Sequence, residues 1–171
     1  MQATETIVNK VAQSGLITFD LETLLPTGQF QVLDMKDYMF QGLILREKEF
    51  RAFVKEHEWE QYTDKYIAIT CSTDAIVPTW AYVLLANRLT PFASEVVFGN
   101  INILKQTILR KAIDKLDLEQ YRNAKVLIKG CSTEHIPEDA YIYLTSKLSQ
   151  TASSIMYGEA CSSVPIFKRK K

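Results

Sequence analysis

The stretch Tyr66-Ile67-Ala68-Ile69-Thr70-Cys71-Ser72-Thr73 is an apolar run followed by a Cys-Ser-Thr sequence, and the chain contains a second, similar copy of it. The second copy reads Lys125-Val126-Leu127-Ile128-Lys129-Gly130-Cys131-Ser132-Thr133, and its cysteine follows the first by 60 positions. After each cysteine come an acidic residue, a proline, and a further apolar run that ends in a glycine. The sequence therefore predicts one half-domain that is used twice.

The similarity between the copies extends on both sides of these stretches, with 59 positions between matched residues. The matched pairs are Arg51 with Arg110, Tyr62 with Tyr121, Pro78 with Pro137, and Gly99 with Gly158. Each copy predicts a helix, a strand, a Cys-Ser-Thr loop, a second helix and a second strand. The second helices are expected at 79–89 and 138–151, with the prolines in their first turns, where a missing N–H costs nothing.

The repeated segments predict the fold class. Their strands are nearly continuous apolar runs, as expected for parallel strands that are covered on both faces. Two right-handed strand–helix–strand crossovers then give a core of about four parallel strands. We expect one α/β domain with a mostly parallel sheet. Its predicted parts are an N-terminal α/β extension (1–46), repeat one (47–105), repeat two (106–164) and a basic tail (165–171).

The extension contains less regular patterns. A first helix is predicted at residues 5–14, with Gly15 as its stop. A strand is predicted at 16–21, which is short, apolar and β-branched, and another at 29–35, with Phe30, Val32 and Leu33 as its apolar members. Residues 38–45 are apolar on most sides, a pattern that fits a buried helix and a buried strand equally well.

Composition excludes several classes of protein. The 171 residues suit a single domain, and 20 basic residues balance 20 acidic ones, so no net charge favours nucleic acid or a membrane surface. The chain has no apolar run of the ~20 residues that span a bilayer, and residues 1–6 lack the pattern of a signal peptide. We therefore expect a cytoplasmic protein whose three cysteines stay reduced. The basic end Lys168-Arg169-Lys170-Lys171 is interpreted as solvated chain.

The cysteines are the strongest candidates for a functional site. Cys71 and Cys131 follow predicted strands, and Cys161 follows the last strand of repeat two. Since sites in parallel sheets form beyond the carboxyl ends of the strands, all three are expected at one edge. Three convergent thiolates are typical of a zinc or iron–sulfur site. We predict that these three residues bind zinc or an iron–sulfur cluster.

The fourth ligand of such a site is left open. His135 is the nearest nitrogen candidate, and the oxygen candidates are Asp74, Glu134 and Glu159. The chain has no Cys-x-x-Cys sequence, which excludes zinc ribbons, zinc fingers and the thioredoxin motif.

Two other functions fit the same cysteines. Cys71 or Cys131 could act as a nucleophile before a helix N-terminus and accept persulfide sulfur. The arginine that a Cys-x5-Arg phosphatase loop requires is replaced by Val77 and Pro137, so that loop is absent. The chain could also be a structural or partner-binding domain, in which the cysteines are small core residues. No catalytic residue, reaction or oligomeric state is predicted.

Several strings carry a resemblance that covers nearly the whole chain. They are Ile7-Val8-Asn9-Lys10-Val11-Ala12-Gln13-Ser14-Gly15-Leu16-Ile17, Phe40-Gln41-Gly42-Leu43-Ile44-Leu45, Ile76-Val77-Pro78-Thr79-Trp80-Ala81-Tyr82, Ile128-Lys129-Gly130-Cys131 and Ser154-Ile155-Met156-Tyr157-Gly158-Glu159. These strings resemble a family of small proteins of Bacteroidetes-type bacteria that bears a domain-of-unknown-function label.

That resemblance implies no activity. It implies a gene location near Suf-type iron–sulfur assembly genes, and hence an accessory role in iron–sulfur cluster or sulfur metabolism, with iron–sulfur assembly proteins as partners. It also implies the three cysteines, but no histidine at the position of His135.

Overall fold

The computed structural model of the chain describes residues 15–170, which contain seven β-strands and four α-helices. The strands are β1 (Leu16–Phe19), β2 (Phe30–Asp34), β3 (Tyr66–Thr70), β4 (Glu95–Phe98), β5 (Lys125–Lys129), β6 (Ser154–Glu159) and β7 (Ser162–Lys168). The α-helices are α1 (Glu47–Glu56), α2 (Thr79–Leu89), α3 (Ile101–Asp114) and α4 (Glu138–Leu148). The helix predicted at residues 5–14 lies outside the described part of the chain.

Short 3-10 helices connect these elements. They are Leu21–Leu24, Met35–Tyr38, Trp59–Tyr62 and Leu118–Tyr121. The sequence assigned residues 38–45 to neither helix nor strand. Tyr38 ends one of these 3-10 helices, and residues 40–44 form a tight turn in which Phe40 and Ile44 make an isolated antiparallel bridge. Within residues 15–170, no helix is long and apolar enough to cross a membrane.

The strands form two sheets. One has the order β1-β5-β6-β7 and the other has the order β2-β3-β4. Every pair of neighbours is parallel except β6 and β7. The predicted α/β class, its mostly parallel strands and its two crossovers, β3-α2-β4 and β5-α4-β6, are confirmed.

The expectation of one sheet shared by both crossovers is wrong. The extension supplies one strand to each crossover, because β2 pairs with β3 and β1 pairs with β5. Each repeat therefore builds its own sheet, and the described chain clusters into two compact units. One unit is Pro26–Ile108, and the other combines residues 15–25 with residues 109–170. We call them the central unit and the terminal unit.

The central unit packs around β3. Ile67 and Ile69 lie against Leu85 of α2 and Phe50 of α1, and all four are buried. The intervening Ala68 belongs to a second buried cluster with Leu104 of α3. Since successive side chains of a strand point to opposite faces, β3 is covered on both sides, as the apolar run predicted.

The terminal unit has the matching core. Val126 and Ile128 of β5 are buried in one cluster with Leu144 of α4 and with Leu109 and Ile113 of α3. Leu144 stands 59 positions after Leu85, and Leu109 stands 59 positions after Phe50. The internal repeat therefore fixes equivalent core positions in the two units.

The extension is itself doubled, which the sequence analysis missed. Asp20 directly follows β1 and accepts the Glu22 N–H at 3.0 Å. Asp34 ends β2 and accepts the Lys36 N–H at 3.0 Å. Each aspartate caps a 3-10 helix, since a short side-chain oxygen satisfies an N–H group that the helix leaves open. Each unit thus contains an edge strand with the same capped exit.

Candidate functional site

A pocket of about 550 Å³ lies at the carboxyl end of β5 in the terminal unit. It is lined by residues 130–136, Glu138, Tyr141 and Tyr157. β5 is flanked by β1 and β6, so the pocket opens where neighbouring parallel strands end. Such an edge is the usual place for a site in an α/β sheet.

Gly130 lets the chain leave β5 close to its neighbour. Its N–H donates to the Gly158 carbonyl at 3.2 Å. A Cβ atom at position 130 would lie 3.1 Å from Cζ of Tyr157 and 3.2 Å from Cα of Gly158. A side chain at position 130 would crowd β6, so glycine suits the close approach of the two strands at this edge.

Backbone N–H groups of the loop after β5 face carboxylates. The Cys131 N–H donates to Glu159 Oε1 at 3.3 Å. The N–H groups of Thr133 and Glu134 donate to the two carboxylate oxygens of Glu22, at 3.1 and 3.2 Å. Consecutive N–H groups that converge in this way form an anion-binding nest. The chain's own Glu22 occupies it here.

An ion pair lies beside this loop. Lys129 Nζ is 2.6 Å from Asp20 Oδ2, and both side chains are about one-third exposed or less. The hydrogen bond from Lys129 lowers the pKa of Asp20, against the opposing effect of burial. The same bond raises the pKa of Lys129. Both groups therefore stay charged at neutral pH and are held by each other.

Two tyrosines form one wall of the pocket. The rings of Tyr141 and Tyr157 meet edge to face, with centroids 5.6 Å apart. Burial raises the pKa of Tyr141, and a hydrogen bond with Ser132 partly offsets that rise. Tyr141 therefore carries its hydroxyl proton at neutral pH and can donate it to a bound group.

Two of the three predicted site residues belong to this edge. Cys131 is exposed and lines the pocket. Cys161 is also exposed and lies in the two-residue turn between β6 and β7, next to the paired residues Glu159 and Ser162. Since β5 and β6 are parallel, both thiols follow strands that end on the same side of the sheet.

The third residue, Cys71, belongs to the central unit. It is half-buried and packs against the hydrophobic cluster around Ile69. Its thiol lies 3.6 Å from the Thr73 carbonyl, the geometry of a weak S–H donor. Cys71 therefore follows a strand of a different sheet, and its packing is that of a small core residue.

Among residues 15–170, no group of three or more His, Cys, Asp or Glu side chains is placed to hold a metal ion. His135, the proposed nitrogen ligand, lines the same pocket as Cys131. Metal binding by Cys71, Cys131 and Cys161 stays a prediction.

The central unit repeats the scaffold of the pocket with different chemistry. The rings of Tyr82 and Phe98 meet edge to face with centroids 5.0 Å apart, 59 positions before Tyr141 and Tyr157. The Ser72 N–H donates to the Asp34 carboxylate at 3.0 Å. A nearby cavity of about 180 Å³ is lined mainly by apolar side chains, and Cys71 is not among its lining residues. The exposed thiol pocket is thus a feature of repeat two.

Sequence reasoning missed Asp20 and Glu22 as neighbours of the site. Glu22 lies 111 positions before Thr133, so no local pattern connects them. The available signal was the pair of matched strings Phe19-Asp20-Leu21 and Leu33-Asp34-Met35, which places an aspartate after each edge strand.

Comparison with known proteins identifies a family for this chain. A search of curated proteins found no match, and a search of solved structures also found none. The family model described as "Protein of unknown function (DUF2480)" matches residues 5–169. Because this match covers nearly the whole chain, the resemblance to a domain-of-unknown-function family is confirmed, and the chain belongs to the DUF2480 family.

Proposed function

We propose that the pocket at the end of β5 is a thiol site, in which Cys131 accepts sulfur from a persulfide donor. The observation that carries this proposal is the exposure of the Cys131 thiol inside a pocket of about 550 Å³. A persulfide donor is either a small molecule or the cysteine persulfide of a partner protein, and it needs open access to the acceptor sulfur.

The transfer needs no external oxidant or reductant. The Cys131 thiolate attacks the outer sulfur of the donor R–S–SH, and a new S–S bond forms. The bond between the two donor sulfurs breaks, and the donor leaves as the thiolate R–S⁻. Cys131 then carries the –S–SH group, so the step exchanges one thiolate for another.

Groups around the pocket support this chemistry. The protonated Tyr141 hydroxyl is a hydrogen-bond donor at the pocket wall, and Ser132 lies beside it. The Tyr141 hydroxyl can donate a hydrogen bond to the anionic sulfur of a bound thiolate or persulfide.

Mass spectrometry after incubation with glutathione persulfide tests the proposal. We expect the wild type and the Cys71→Ser variant to gain one sulfur atom, and the Cys131→Ser variant to gain none at the corresponding peptide. The Cys161→Ser variant is a control for a second exposed thiol of the same unit. Equal labelling of Cys161 and Cys131, or no labelling of Cys131, would contradict a dedicated acceptor at position 131.

A second candidate function is the binding of zinc or an iron–sulfur cluster by cysteine thiolates, with iron–sulfur assembly proteins as partners. It is favoured by the position of Cys131 and Cys161 at one edge of one sheet. Thiolates that share one zinc lie within about 4 Å of each other, because Zn–S bonds are ~2.3 Å long.

Elemental analysis of anaerobically purified protein, before and after reconstitution, tests the second candidate. Metal that is retained by the wild type and lost in each of the variants Cys71→Ser, Cys131→Ser and Cys161→Ser would support a three-thiolate site. A wild-type protein that stays metal-free after reconstitution would contradict the metal-binding candidate and would leave the persulfide proposal unaffected.

A further inference from the structure

The two units contain equivalent pairs of helices. Helices α1 and α2 of the central unit correspond to the C-terminal half of α3 and to α4 of the terminal unit. The correspondence holds at buried positions, since Phe50 matches Leu109 and Leu85 matches Leu144. Surface positions 59 apart therefore occupy equivalent places on the two helix pairs.

In the terminal unit, the surface between the helices is neutralised by the chain itself. Arg110 donates two hydrogen bonds to the Asp139 carboxylate, both 2.7 Å long. Lys147 Nζ lies 2.6 Å from Asp114 Oδ1, and the Tyr143 hydroxyl donates to the same oxygen at 2.6 Å.

Tyr143 also fills the space between the two cations. The Arg110 guanidinium carbon lies 4.6 Å from the centre of the Tyr143 ring, and Lys147 Nζ lies 5.0 Å from it. One aromatic ring and two carboxylates thus surround the two cations of this helix pair.

The central unit lacks all three of those groups at the equivalent positions. Trp80 stands in the place of Asp139, Lys55 in the place of Asp114, and Leu84 in the place of Tyr143. The cations remain, because Arg51 matches Arg110 and Arg88 matches Lys147. Both carboxylates are therefore lost, and a third cation is added.

The cations of α1 and α2 have different partners from their counterparts in the terminal unit. Arg51 pairs with Glu47 at 2.8 Å within its own helix, and its guanidinium carbon lies 4.9 Å from the Trp80 ring centre. Lys55 and Arg88 form no ion pair with any of residues 15–170. The exposed surface of α1 and α2 therefore carries positive charges that are in no ion pair within the described chain, whereas Arg110 and Lys147 of the terminal unit are both paired.

Two hollows lie along this surface. One, of about 490 Å³, is lined by Arg51, Trp80, Val83, Leu84 and Asn87. The other, of about 500 Å³, also includes Asn87 and contains Lys55 and Arg88, with Glu60 as the one acidic residue of its lining. We call the two hollows together the α1/α2 groove. Val83 on this groove is 61% exposed, so the groove presents apolar surface in addition to its cations.

We infer that the α1/α2 groove docks an acidic amphipathic segment of a partner protein. The carboxylates of that segment pair with Lys55 and Arg88, which form no ion pair among residues 15–170. Its apolar side chains fill the space that the smaller Leu84 leaves open. A helix with one apolar face is a common ligand of a groove between two helices, and complementary charge selects an acidic one.

A fluorescence anisotropy titration with synthetic peptides tests this inference. The probe is an amphipathic helical peptide whose polar face carries glutamates, and its counterpart has glutamine at those positions. We expect the glutamate peptide to bind at least about tenfold more tightly, and its affinity to fall with added salt, because opposite charges at an exposed site are screened. Equal binding of both peptides would overturn the inference.

Variants copied from the terminal unit give a sharper test. K55D restores a carboxylate beside Arg88, and the double variant K55D/L84Y also restores the tyrosine. We expect about a tenfold or greater loss of affinity for the glutamate peptide in both. R88Q removes the other cation that is proposed to bind the carboxylates of the peptide, and it should weaken binding as well. Circular dichroism checks that each variant is folded.

K48D is the matched control, since it makes the same charge change at an exposed position of α1 that does not line the groove. A loss of affinity in K48D as large as in K55D would reduce the effect to general charge attraction and overturn the inference. Self-association of the wild type that K55D abolishes would assign the groove to a second copy, and would also overturn it.

Discussion

Asp20 has two structural roles at the level of a single residue. Its carboxylate caps the 3-10 helix Leu21–Leu24 and pairs with Lys129 at the end of β5. These contacts join β1 to the strand that carries the Cys131 loop. Asp34 has the capping role in the central unit, and it accepts the Ser72 N–H in addition.

We expect Asp20→Ala to destabilise the protein more than Asp20→Asn. Alanine loses the cap, which costs about 1 kcal/mol, and also loses the ion pair, whereas asparagine keeps an oxygen that can cap. The pKa of Asp20 is lowered in the folded state, so the ion pair contributes above the unfolded pKa and is lost as pH falls through the folded pKa. Urea unfolding of wild type and Asp20→Asn should therefore converge at acid pH. A constant difference between the two proteins at all pH values would contradict this account.

His57 lies in an aromatic cluster at the end of α1. Its ring centroid is 4.8 Å from that of Phe53 and 4.7 Å from that of Trp59, and Nε2 lies 3.0 Å from the Tyr62 hydroxyl oxygen. Burial lowers the pKa of His57, against the opposing charge of Glu58. The cluster therefore favours the neutral imidazole.

We expect the central unit to lose stability as pH falls through the lowered pKa of His57. Above the unfolded value of about 6.5 the imidazole is neutral in both states, and below it the unfolded state takes up the proton first. NMR titration of the imidazole protons gives the folded pKa directly. Urea unfolding between neutral and mildly acidic pH should show a steeper pH dependence in the wild type than in His57→Gln, and equal slopes would refute the explanation.

At the scale of elements, the two strand–helix–strand crossovers are alike but end differently. After β4 the chain passes through Gly99 into α3, whereas β6 continues through Gly158 into a hairpin with β7. Both glycines have positive φ, +138° and +125°. The shared glycine therefore allows an unusual backbone conformation in two different surroundings.

We expect Gly158→Ala to cost more stability than Gly99→Ala. Both substitutions place a Cβ in a conformation that costs of order 1–3 kcal/mol. At position 158 the new Cβ would also lie 2.6 Å from the Ser162 carbonyl oxygen, which is backbone of the hairpin. At position 99 the nearest atom is Cδ1 of Ile103 at 2.6 Å, the movable end of a side chain. Denaturant unfolding of both variants measures the order, and the reverse order would show that Ile103 cannot move aside.

At the scale of the whole molecule, each unit has its own buried core. Leu85 and Leu144 are fully buried at matching positions of the two cores. A Leu→Ala change at such a site costs about 2–5 kcal/mol through lost contacts and a cavity. The two changes are equal in chemistry and differ only in the unit that they affect.

We expect amide hydrogen exchange to locate each effect. Leu85→Ala should accelerate exchange most within residues 26–108, and Leu144→Ala most within residues 15–25 and 109–170, because protection follows the local packing that is lost. Mass-spectrometric exchange with peptide resolution distinguishes these regions. Uniform acceleration across the described chain by either variant would show that the two cores open together.

Much of the candidate site follows from local sequence. The apolar runs with their terminal Cys-Ser-Thr predicted the strands β3 and β5 and the loops beyond them, because a buried parallel strand needs a continuous apolar run. Cys131 and Cys161 lie at the predicted edge of a sheet. The contacts of Glu22 with the Cys131 loop were beyond sequence reasoning, since they join residues 111 and 112 positions apart.

The sequence by itself determined the class of the fold, the doubled crossover and the matching core positions, because apolar periodicity and repeated spacing are local properties. Only the tertiary structure decided that the two copies build separate sheets, with β1 beside β5 and β2 beside β3. The reason is that a strand's own residues specify which of its faces are buried but not its neighbour. The neighbour of a strand depends on contacts with residues far away in the sequence. Here those contacts place Cys71 after a strand of one sheet, and Cys131 and Cys161 after strands of the other.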